Sequence, residues 1–276
     1  MTIFYKIKRR LHRAKRAMSS CLSLLPVVSI GSKFLIILFS VLFAVQRMVG
    51  INPILKFGIT LQLRSFGRRA TYVVRSFYDV VIINELYAKQ EYDRDFDPQP
   101  DTIIDLGSNS GASIIFFKLK YPDVEVYGFE PDPHMFTLLQ KNVQQFGGTV
   151  HVENKLVMDT PGTHEFFSNP KGISSSIFER SEQSTKVDVE ATTLDSILEQ
   201  IHSDKCILVK FDVEGAEDKI FNACTQRNRI NHFIGEFHGD LMPGVTEEKF
   251  SSYFSKHHTM HEPIAAERSV IWGTRL

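Results

Sequence analysis

The sequence predicts an α/β fold in which a mostly parallel sheet carries helices on both faces. Residues 102–111, TIIDLGSNSG, form a short apolar run that ends in an acid and two glycines, and a helical pattern follows over 112–121. Residues 206–217, CILVKFDVEGAE, repeat the arrangement of an apolar run followed by acids. Short apolar runs bounded by turn residues and followed by longer helical segments are typical of buried parallel strands that lead into helices.

The charge of the chain is unevenly distributed along its 276 residues, a length that allows one large α/β domain plus an extension. The chain has 32 Lys and Arg and 32 Asp and Glu, but residues 1–78 hold 14 of the basic residues and no acid. This asymmetry indicates an anionic partner for the front of the chain, most simply a membrane surface. No recognised nucleic-acid motif accompanies the charge, so nucleic acid is not an expected partner. The three cysteines are too widely spaced for a metal site or a disulfide framework.

Residues 1–50 form an N-terminal extension in which a basic stretch at 6–16 precedes a largely apolar stretch at 21–49. The least interrupted apolar run, 34–45, is shorter than the ~20 residues that cross a bilayer, and lengthening it toward the N-terminus admits Lys33. Three interpretations stay open: a membrane anchor (a single transmembrane helix or a monotopic helix), an organelle-targeting peptide, or a helix packed on the rest of the chain. The expected location is accordingly membrane-associated or cytoplasmic, with organelle targeting also open.

Residues 51–100 are predicted to form a hairpin and a helix ahead of the main domain. Alternating strands at 57–64 and 70–75 flank a polar turn, an amphipathic helix follows at 79–89, and 93–100 is a polar linker with two prolines. The predicted division of the chain is therefore 1–50, 51–100 and 101–276.

The first motif has the pattern D-x-G-x-x-x-G, formed by Asp105, Gly107 and Gly111. Gly107 lets the backbone turn tightly, and Gly111 lets a ligand or the following helix approach closely. The next predicted strand, 124–129, ends in Glu130, where an α/β unit places an acid on ribose hydroxyls. A dinucleotide-binding loop needs G-x-G-x-x-G instead, and two of its glycines are missing here, which disfavours an NAD-dependent oxidoreductase.

Further polar residues gather where two later strands end. Asp212 and Glu214 follow the strand at 207–211, and Glu236 and His238 lie two residues apart, on one face, at the end of another strand. Ligands bind at the carboxyl ends of parallel strands, and carboxylates or histidine there can take a proton from a substrate hydroxyl. Lys210 is placed to pair with one of the acids that follow it. The cluster is also able to bind a cation, which the sequence spacing does not establish, so no metal site is predicted.

The remaining elements complete an alternation of strands and helices. Asp132 is expected to cap a helix that runs to about residue 146, and a third strand is expected at 149–157. The polar loop at 172–176 has two open interpretations, a cover over the ligand and an ordinary solvated loop. The other predictions are a short strand at 165–167, a strand at 187–191, a helix at 194–201 capped by Thr193, a strand at 233–237, a helix at 247–256 and a closing strand at 269–272.

Several strings of this sequence resemble the FkbM family of S-adenosylmethionine (SAM)-dependent methyltransferases. The matching strings are IIDLGSNSG, GFEPDP, VENKLV, TTLDSIL and VVRSFYDVVIINELYAKQEYD, and above all VKFDVEGAE. The resemblance covers about residues 57–276 and implies a class I, Rossmann-like methyltransferase fold with a mostly parallel seven-stranded sheet. The apolar extension at 21–49 lies outside it.

The resemblance also implies roles for individual residues. The SAM pocket would be lined by Asp105, Gly107, Ser108, Asn109, Gly111, Glu130, Pro131 and Asp132, with Glu130 holding the ribose. Asp212 and Glu214 would lie beside the transferred methyl group, and Glu236 and His238 are further candidates for binding or deprotonating the acceptor. Ser108 and Ser110 depart from the alanine and the isoleucine or valine that the family commonly has in this loop.

The expected function is SAM-dependent transfer of a methyl group to an oxygen of a small molecule, a sugar or a lipid-linked glycan. Catalysis would come mostly from positioning, because SAM is already an activated donor. A membrane-tethered protein that keeps the fold without turnover is the alternative from another class.

Overall fold

The structure is a computed structural model that describes residues 2–49, 58–169, 175–178, 184–242, 244–255, 258–260 and 268–276. It contains two compact units, Met1–Asp93 and Arg94–Leu276. The division into 1–50, 51–100 and 101–276 stays a prediction.

The first unit begins with two helices that pack against each other, α1 (Thr2–Leu22) and α2 (Ile30–Val49). The predicted hairpin is present as β1 (Ile59–Ser65) and β2 (Arg68–Val74), and α3 (Phe77–Ile83) follows. Ser76 and Asp79 form a capping box at the start of α3, which continues as one π-helical turn, Asn84–Ala88. The amphipathic helix predicted at 79–89 therefore starts earlier and changes type before it ends.

One face of α2 is packed and the other is exposed. Ile36, Phe39 and Phe43 are fully buried, and the rings of Phe39 and Phe43 stack 5.4 Å apart. The exposed apolar side chains are Ile30, Phe34, Ile37, Leu38, Val41, Leu42, Val45, Met48 and Val49. Among the residues that the structure describes, no helix has both the length and the apolar character needed to cross a membrane. The single transmembrane helix is thus an expectation without support.

The second unit is built on a seven-stranded sheet, as expected. Its elements in chain order are β3 (Thr102–Leu106), α4 (Ala112–Lys120), β4 (Glu125–Phe129), α5 (Pro133–Val143), β5 (Val150–Glu153), β6 (Leu156–Met158), β7 (Gly162–Ser168), β8 (Thr185–Thr193), α6 (Leu194–Gln200), β9 (Ile207–Phe211), α7 (Glu217–Ala223), β10 (His232–His238), α8 (Glu247–Ser255), β11 (His258–Met260) and β12 (Arg268–Arg275). The strand order is β11-β12-β10-β9-β3-β4-β5, and only the pairings of β12 are antiparallel. The order reverses between β3 and β9, the position where open α/β sheets bind ligands.

The third strand predicted at 149–157 is two strands in different sheets. β5 is the edge of the main sheet, whereas β6 pairs with β8 in a three-stranded sheet of order β6-β8-β7. The break lies at Asn154, whose side-chain amide donates to the carbonyls of Glu130 (2.7 Å) and Pro131 (3.0 Å). These bonds tie the chain to the end of β4 and direct it out of the main sheet.

Aromatic packing holds β9 and β10 together, the two strands at whose ends the predicted acceptor residues lie. Phe211 and Phe221 meet edge to face 4.9 Å apart, and Phe233 stacks on Phe254 at 4.0 Å. Each fully buried ring stabilises the fold by about 1.5–3 kcal/mol. Gly235 allows the approach, because a Cβ there would lie 2.2 Å from the carbonyl oxygen of Phe211. The ends of β9 and β10 are therefore held in a fixed relation.

Candidate active site

The first motif forms a loop that touches the second acidic stretch. Gly107 has a φ of +76°, and a Cβ there would lie 2.0 Å from the carbonyl oxygen of Asp212. Gly111 begins α4 with a φ of +88°, and a Cβ there would lie 2.9 Å from Leu139. Both positions need glycine for conformation and for space, so the backbone at the end of β3 is bare toward its neighbours.

Asp105 lies below this loop in a buried ion pair. It is fully buried; its Oδ2 accepts from the hydroxyl of Ser113 at 2.6 Å, and its Oδ1 lies 3.0 Å from Nζ of Lys210. Lys210 also donates to the carbonyl of Gly107 at 2.8 Å. Burial alone lowers the pKa of Lys210, but Asp105 more than offsets it, so the pKa is raised and the lysine stays charged. Lys210 was expected to pair with an acid that follows it; the acid with which it forms an ion pair is instead Asp105, on the neighbouring strand.

Glu130 presents a desolvated carboxylate at the end of β4. It is 5% exposed, and its two oxygens accept from the backbone N–H groups of Asn109 (2.7 Å) and Asp132 (2.8 Å). Burial raises its pKa to about 8, although these two hydrogen bonds oppose the rise. Each carboxylate oxygen has a second lone pair and can accept one more hydrogen bond. Glu130 therefore fits a ligand that brings hydroxyl donors.

The residues between the two glycines keep the loop in shape. The hydroxyl of Ser108 donates to the carbonyl of Asp105 at 3.0 Å and lies 2.8 Å from where a Cβ on Gly128 would be. Asn109 has a φ of +49°, and its side-chain oxygen accepts from the N–H of Ser110 at 2.8 Å. Ser108 thus fills the space that a glycine on the neighbouring strand leaves open.

Asp132 is fully buried and joins α5 to the segment 175–178. Its Oδ1 caps α5 by accepting from the N–H groups of His134 (2.9 Å) and Met135 (3.3 Å). Its Oδ2 accepts from the hydroxyls of Ser168 (2.7 Å) and Ser175 (2.9 Å). The predicted cap is confirmed. Pro131, the residue before it, contributes a carbonyl acceptor to the break after β5.

The four predicted acceptor-side residues lie together at the ends of β9 and β10. His238 is 1% exposed, and its Nδ1 lies 2.6 Å from Oε1 of Glu217. Its Nε2 faces carboxylate oxygens of Glu214 at 3.7 Å and of Asp212 and Glu236 at 3.8 Å each. Three carboxylates thus surround one buried imidazole edge.

The charges of this cluster shift one another. Burial by itself lowers the pKa of His238, but the hydrogen bond with Glu217 and the charge of Asp212 raise it to about 9. The charge of Asp212, followed by burial, raises the pKa of Glu236 to about 8. Such perturbed groups in one place are a mark of functional sites.

The segment 175–178 lies against the turn that carries Glu214. Glu214 has a φ of +50° and Gly215 a φ of +101°, and a Cβ on Gly215 would lie 2.8 Å from the ring of Phe178. Ser175, in the same segment, bonds to Asp132. The segment therefore contacts both sides of the crevice at the strand ends: Asp132 on the side of β4 and Gly215 on the side of β9. Residues 172–174 of the predicted polar loop lie outside the described residues.

Glu217 was counted with the acids that follow β9, but it was not among the predicted site residues. It is fully buried and holds His238, although its place in the first turn of α7 also allows a purely helical role. The signal that could have found it is a third acid within the string DVEGAE. Ser168 and Ser175 carried no signal, because their partner Asp132 lies 36 and 43 positions away in the sequence. The roles of the predicted site residues stay predictions.

The sequence profile of the methyltransferase FkbM domain matches residues 105–261, more than half of the chain. The chain belongs to the FkbM methyltransferase family. It is a methyltransferase whose methyl donor is SAM, as the family resemblance implied. The chain is 25% identical over 199 residues to the hexuronic acid methyltransferase AglP of Haloferax volcanii, covering 69% of this chain and 81% of that protein. It is 24% identical over 222 residues to the methyltransferase sdnD of Sordaria araneosa, covering 68% and 82%.

Solved structures of methyltransferases resemble the fold at low sequence identity. Methyltransferase FkbM from Methylobacillus flagellatus KT aligns with a TM-score of 0.46 at 12% identity, over 70% of this chain. The alignment covers 47% of that chain, so this chain spans about half its length. The SAH-bound methyltransferase PaMTH1 of Podospora anserina aligns with a TM-score of 0.39 at 11% identity, over 72% of this chain and 78% of that one.

The residues present fit SAM. SAM supplies a methyl group on a positively charged sulfonium together with a ribose that carries two hydroxyls. Glu130 has free acceptor capacity for the hydroxyls, and the bare backbone at Gly107 permits close approach. Asp105 stabilises the loop after β3, and Asp132 stabilises the connection between β4 and α5. The contacts described above engage all four of their carboxylate oxygens.

Proposed function

We propose that this family member methylates a hydroxyl oxygen of a sugar or another small acceptor, lipid-linked glycans included. The observation that carries the proposal is the cluster of Asp212, Glu214, Glu236 and His238 at the strand ends next to the Gly107 loop. A relative that is named a hexuronic acid methyltransferase supports a sugar acceptor. Membership of the family argues against the NAD-dependent alternative.

The cluster has the groups that oxygen methylation requires. A hydroxyl must lose its proton as its oxygen attacks the methyl carbon, and a carboxylate within hydrogen-bond reach can take that proton. The side chains of Asp212 and Glu214 are 33% and 27% exposed, so both are partly accessible to an acceptor. Glu217 fixes the ring of His238 from behind, which positions the cluster. The excess of negative charge also attracts the cationic donor.

The assigned roles predict that two substitutions separate donor binding from turnover. Glu130→Ala should weaken SAM binding much more than Asp212→Asn does, because only Glu130 is assigned to the ribose in this proposal. Asp212→Asn should instead slow turnover at saturating SAM. Calorimetry with SAM, and mass spectrometry for the gain of CH₂ on hexuronic acids and neutral sugars, measure the two effects.

Asp188→Asn is the matched control, since Asp188 is an exposed acid on β8 and should change neither readout. Equal effects of Glu130→Ala and Asp212→Asn on SAM affinity would contradict the roles. A lack of any methylated sugar product alongside normal SAM binding would refute a sugar acceptor.

We also propose that the helix pair α1–α2 attaches the protein to an anionic membrane surface as a monotopic element. The exposed apolar residues of α2 recur at three- and four-residue intervals from Ile30, 86% exposed, through Phe34, 72% exposed, to Val49. They form one stripe about 28 Å long at 1.5 Å per residue. Exposed basic side chains on the preceding helix include Lys8, Arg10 and Arg13. A continuous apolar stripe beside basic residues fits the interface of an anionic bilayer. Targeting to an organelle stays a prediction.

Vesicle sedimentation of the full chain tests this attachment. Binding is expected to vesicles with about 30% phosphatidylserine and to weaken with neutral lipid or with salt raised to about 500 mM. Leu38→Asp combined with Val41→Asp should abolish binding. Thr60→Asp, which adds one of these negative charges at an exposed position of β1, should leave binding intact. Wild-type protein that stays in the supernatant with both lipid mixtures would refute the proposal.

A further inference from the structure

We infer that Asp212, Glu214 and His238 bind a divalent metal ion. The site lies on the acceptor side of the crevice, and its expected occupant is a transition-metal ion of the Mn²⁺ class. The inference deepens the proposed function, because it assigns a means of binding and activating the acceptor hydroxyl. Its test measures metal binding without SAM and without acceptor, so the two proposals fail separately.

The distances in the cluster are close to those of ligands around one ion. One ligand atom from each of Asp212, Glu214 and His238 lies within 4.8 Å of the other two. Nε2 of His238 is 3.8 Å from Oδ1 of Asp212 and 3.7 Å from Oε2 of Glu214. These separations are too long for hydrogen bonds. An ion about 2.1 Å from each ligand separates neighbouring ligands by about 3.0 Å and opposite ligands by about 4.2 Å.

The buried imidazole is the observation that points to a ligand rather than to a plain group of acids. His238 is 1% exposed, and within the described part of the chain its hydrogen bonding is confined to Nδ1. Nε2 is therefore aimed into the carboxylates with no hydrogen-bond acceptor in reach. With a proton it is a buried donor without an acceptor; without one, its lone pair faces negative oxygens. A cation between these groups removes both costs.

Glu217 supports this assignment from behind the ring. Its side chain is fully buried, and its Oε1 lies 2.6 Å from Nδ1 of His238. Metal-binding histidines usually donate their second ring N–H to a carboxylate, which fixes the ring and leaves the other nitrogen as ligand. Asp212 and Glu214 are partly exposed, so small rotations of their carboxylates close the ligand set. Glu236, 3.8 Å from the same Nε2, lies at the rim.

The donor set indicates both the ion and its use. One imidazole with carboxylate oxygens suits Mn²⁺, Fe²⁺ or Zn²⁺ better than Mg²⁺, which prefers oxygen alone. An ion there has positions left for an acceptor hydroxyl and lowers the pKa of that hydroxyl. The acceptor oxygen then bonds to the methyl carbon, the carbon–sulfur electron pair stays on sulfur to give S-adenosylhomocysteine, and the hydroxyl proton passes through a carboxylate of the cluster to water.

Electron paramagnetic resonance of Mn²⁺ tests the site on the full chain after chelator treatment. One Mn²⁺ per chain is expected, with a nitrogen modulation in the pulsed spectrum from the imidazole. His238→Gln should remove the modulation, and Glu214→Gln should weaken binding at least about tenfold. Glu217→Gln, a positioning change, should weaken binding by about 10–100-fold while Mn²⁺ keeps its nitrogen ligand. Asp188→Asn is the matched exposed control.

The outcomes separate the assignments. Mn²⁺ that binds without nitrogen modulation, or equally well to His238→Gln and Glu214→Gln, is held adventitiously by surface acids, and the inference fails. No binding at about 1 mM Mn²⁺, a concentration well above the dissociation constants of cation-sensing sites, also overturns the inference. The cluster would then hold a proton or a water molecule instead. SAM binding measured on the same samples bears on the proposed function alone.

Discussion

The buried pair of Asp105 and Lys210 should dominate the stability of the second unit. Their side chains are 0% and 3% exposed, and they lie 3.0 Å apart. Lys210→Met leaves the Asp105 carboxylate in the core with Ser113 as its remaining close donor. Removing one partner of a buried ion pair costs about 3–5 kcal/mol, because the other charge stays desolvated. With a urea m-value of about 2 kcal/mol/M, the unfolding midpoint should fall by about 1.5–2.5 M.

Urea unfolding followed by the fluorescence of Trp272, the chain's one tryptophan, measures this loss in the second unit. Lys186→Met is the control, because Lys186 pairs with Glu165 on an exposed edge and its midpoint should equal that of the wild type. The double variant Asp105→Asn with Lys210→Met should lose less than the two single changes added together. A Lys210→Met midpoint that matches the Lys186→Met midpoint would show that the pair is not coupled as the structure implies.

Three further changes test the donor loop and one helix cap. The pKa of Glu130 is about 8 in the free protein, and ribose hydroxyls stabilise its ionised form, so SAM binding near pH 7 should release a proton. The buffer takes up that proton, so the measured binding heat should depend on the buffer used. Glu130→Gln should abolish this dependence. The pKa of the Glu130 carboxyl is about 8 in the folded protein and about 4.5 when it is unfolded. Relative to Glu130→Gln, the wild type should therefore lose stability as the pH rises from 4.5 through 8. Gly107→Ala places a Cβ 2.0 Å from the Asp212 carbonyl oxygen, and it should weaken SAM binding at least about tenfold. The causes are this clash and a backbone strain of about 1–2 kcal/mol. In the control Gly148→Ala the added Cβ meets nothing within 4 Å, so this variant should bind SAM normally. Thr193→Ala removes the cap of α6 and should cost about 1 kcal/mol in urea unfolding without changing SAM affinity.

Features that depend on local sequence were predicted closely. The strand predicted at 207–211 coincides with β9, because a short apolar run between turn residues, broken only by Lys210, is typical of a buried strand. The cap by Thr193 is also as predicted. The helix predicted to reach residue 146 becomes a 3₁₀ turn after Val143, and the backbone leaves helical geometry at Gly147, whose φ is +61°. The predicted end was therefore correct and the helix type was not.

Features that depend on distant partners were not predictable. The break after β5 follows from hydrogen bonds of Asn154 to the previous strand exit, and a strand pattern gives no sign of them. Lys210 found its partner 105 positions earlier because β3 and β9 are neighbours in the sheet. Glu217 meets His238 across 21 positions because β10 pairs with β9, the strand that precedes α7. A sequence read alone shows that such residues are unusual in a core, but topology decides which of them meet.

The contact between Gly107 and the Asp212 carbonyl has a consequence for exchanging parts between family members. With no room for a single extra carbon, the loop at the end of β3 and the DVEG turn have one shape between them. A chimera that imports one of these segments from a relative inherits a mismatch at this point. Transplanting the two segments together preserves the contact. They are therefore the smallest unit that can be exchanged to change donor or acceptor preference.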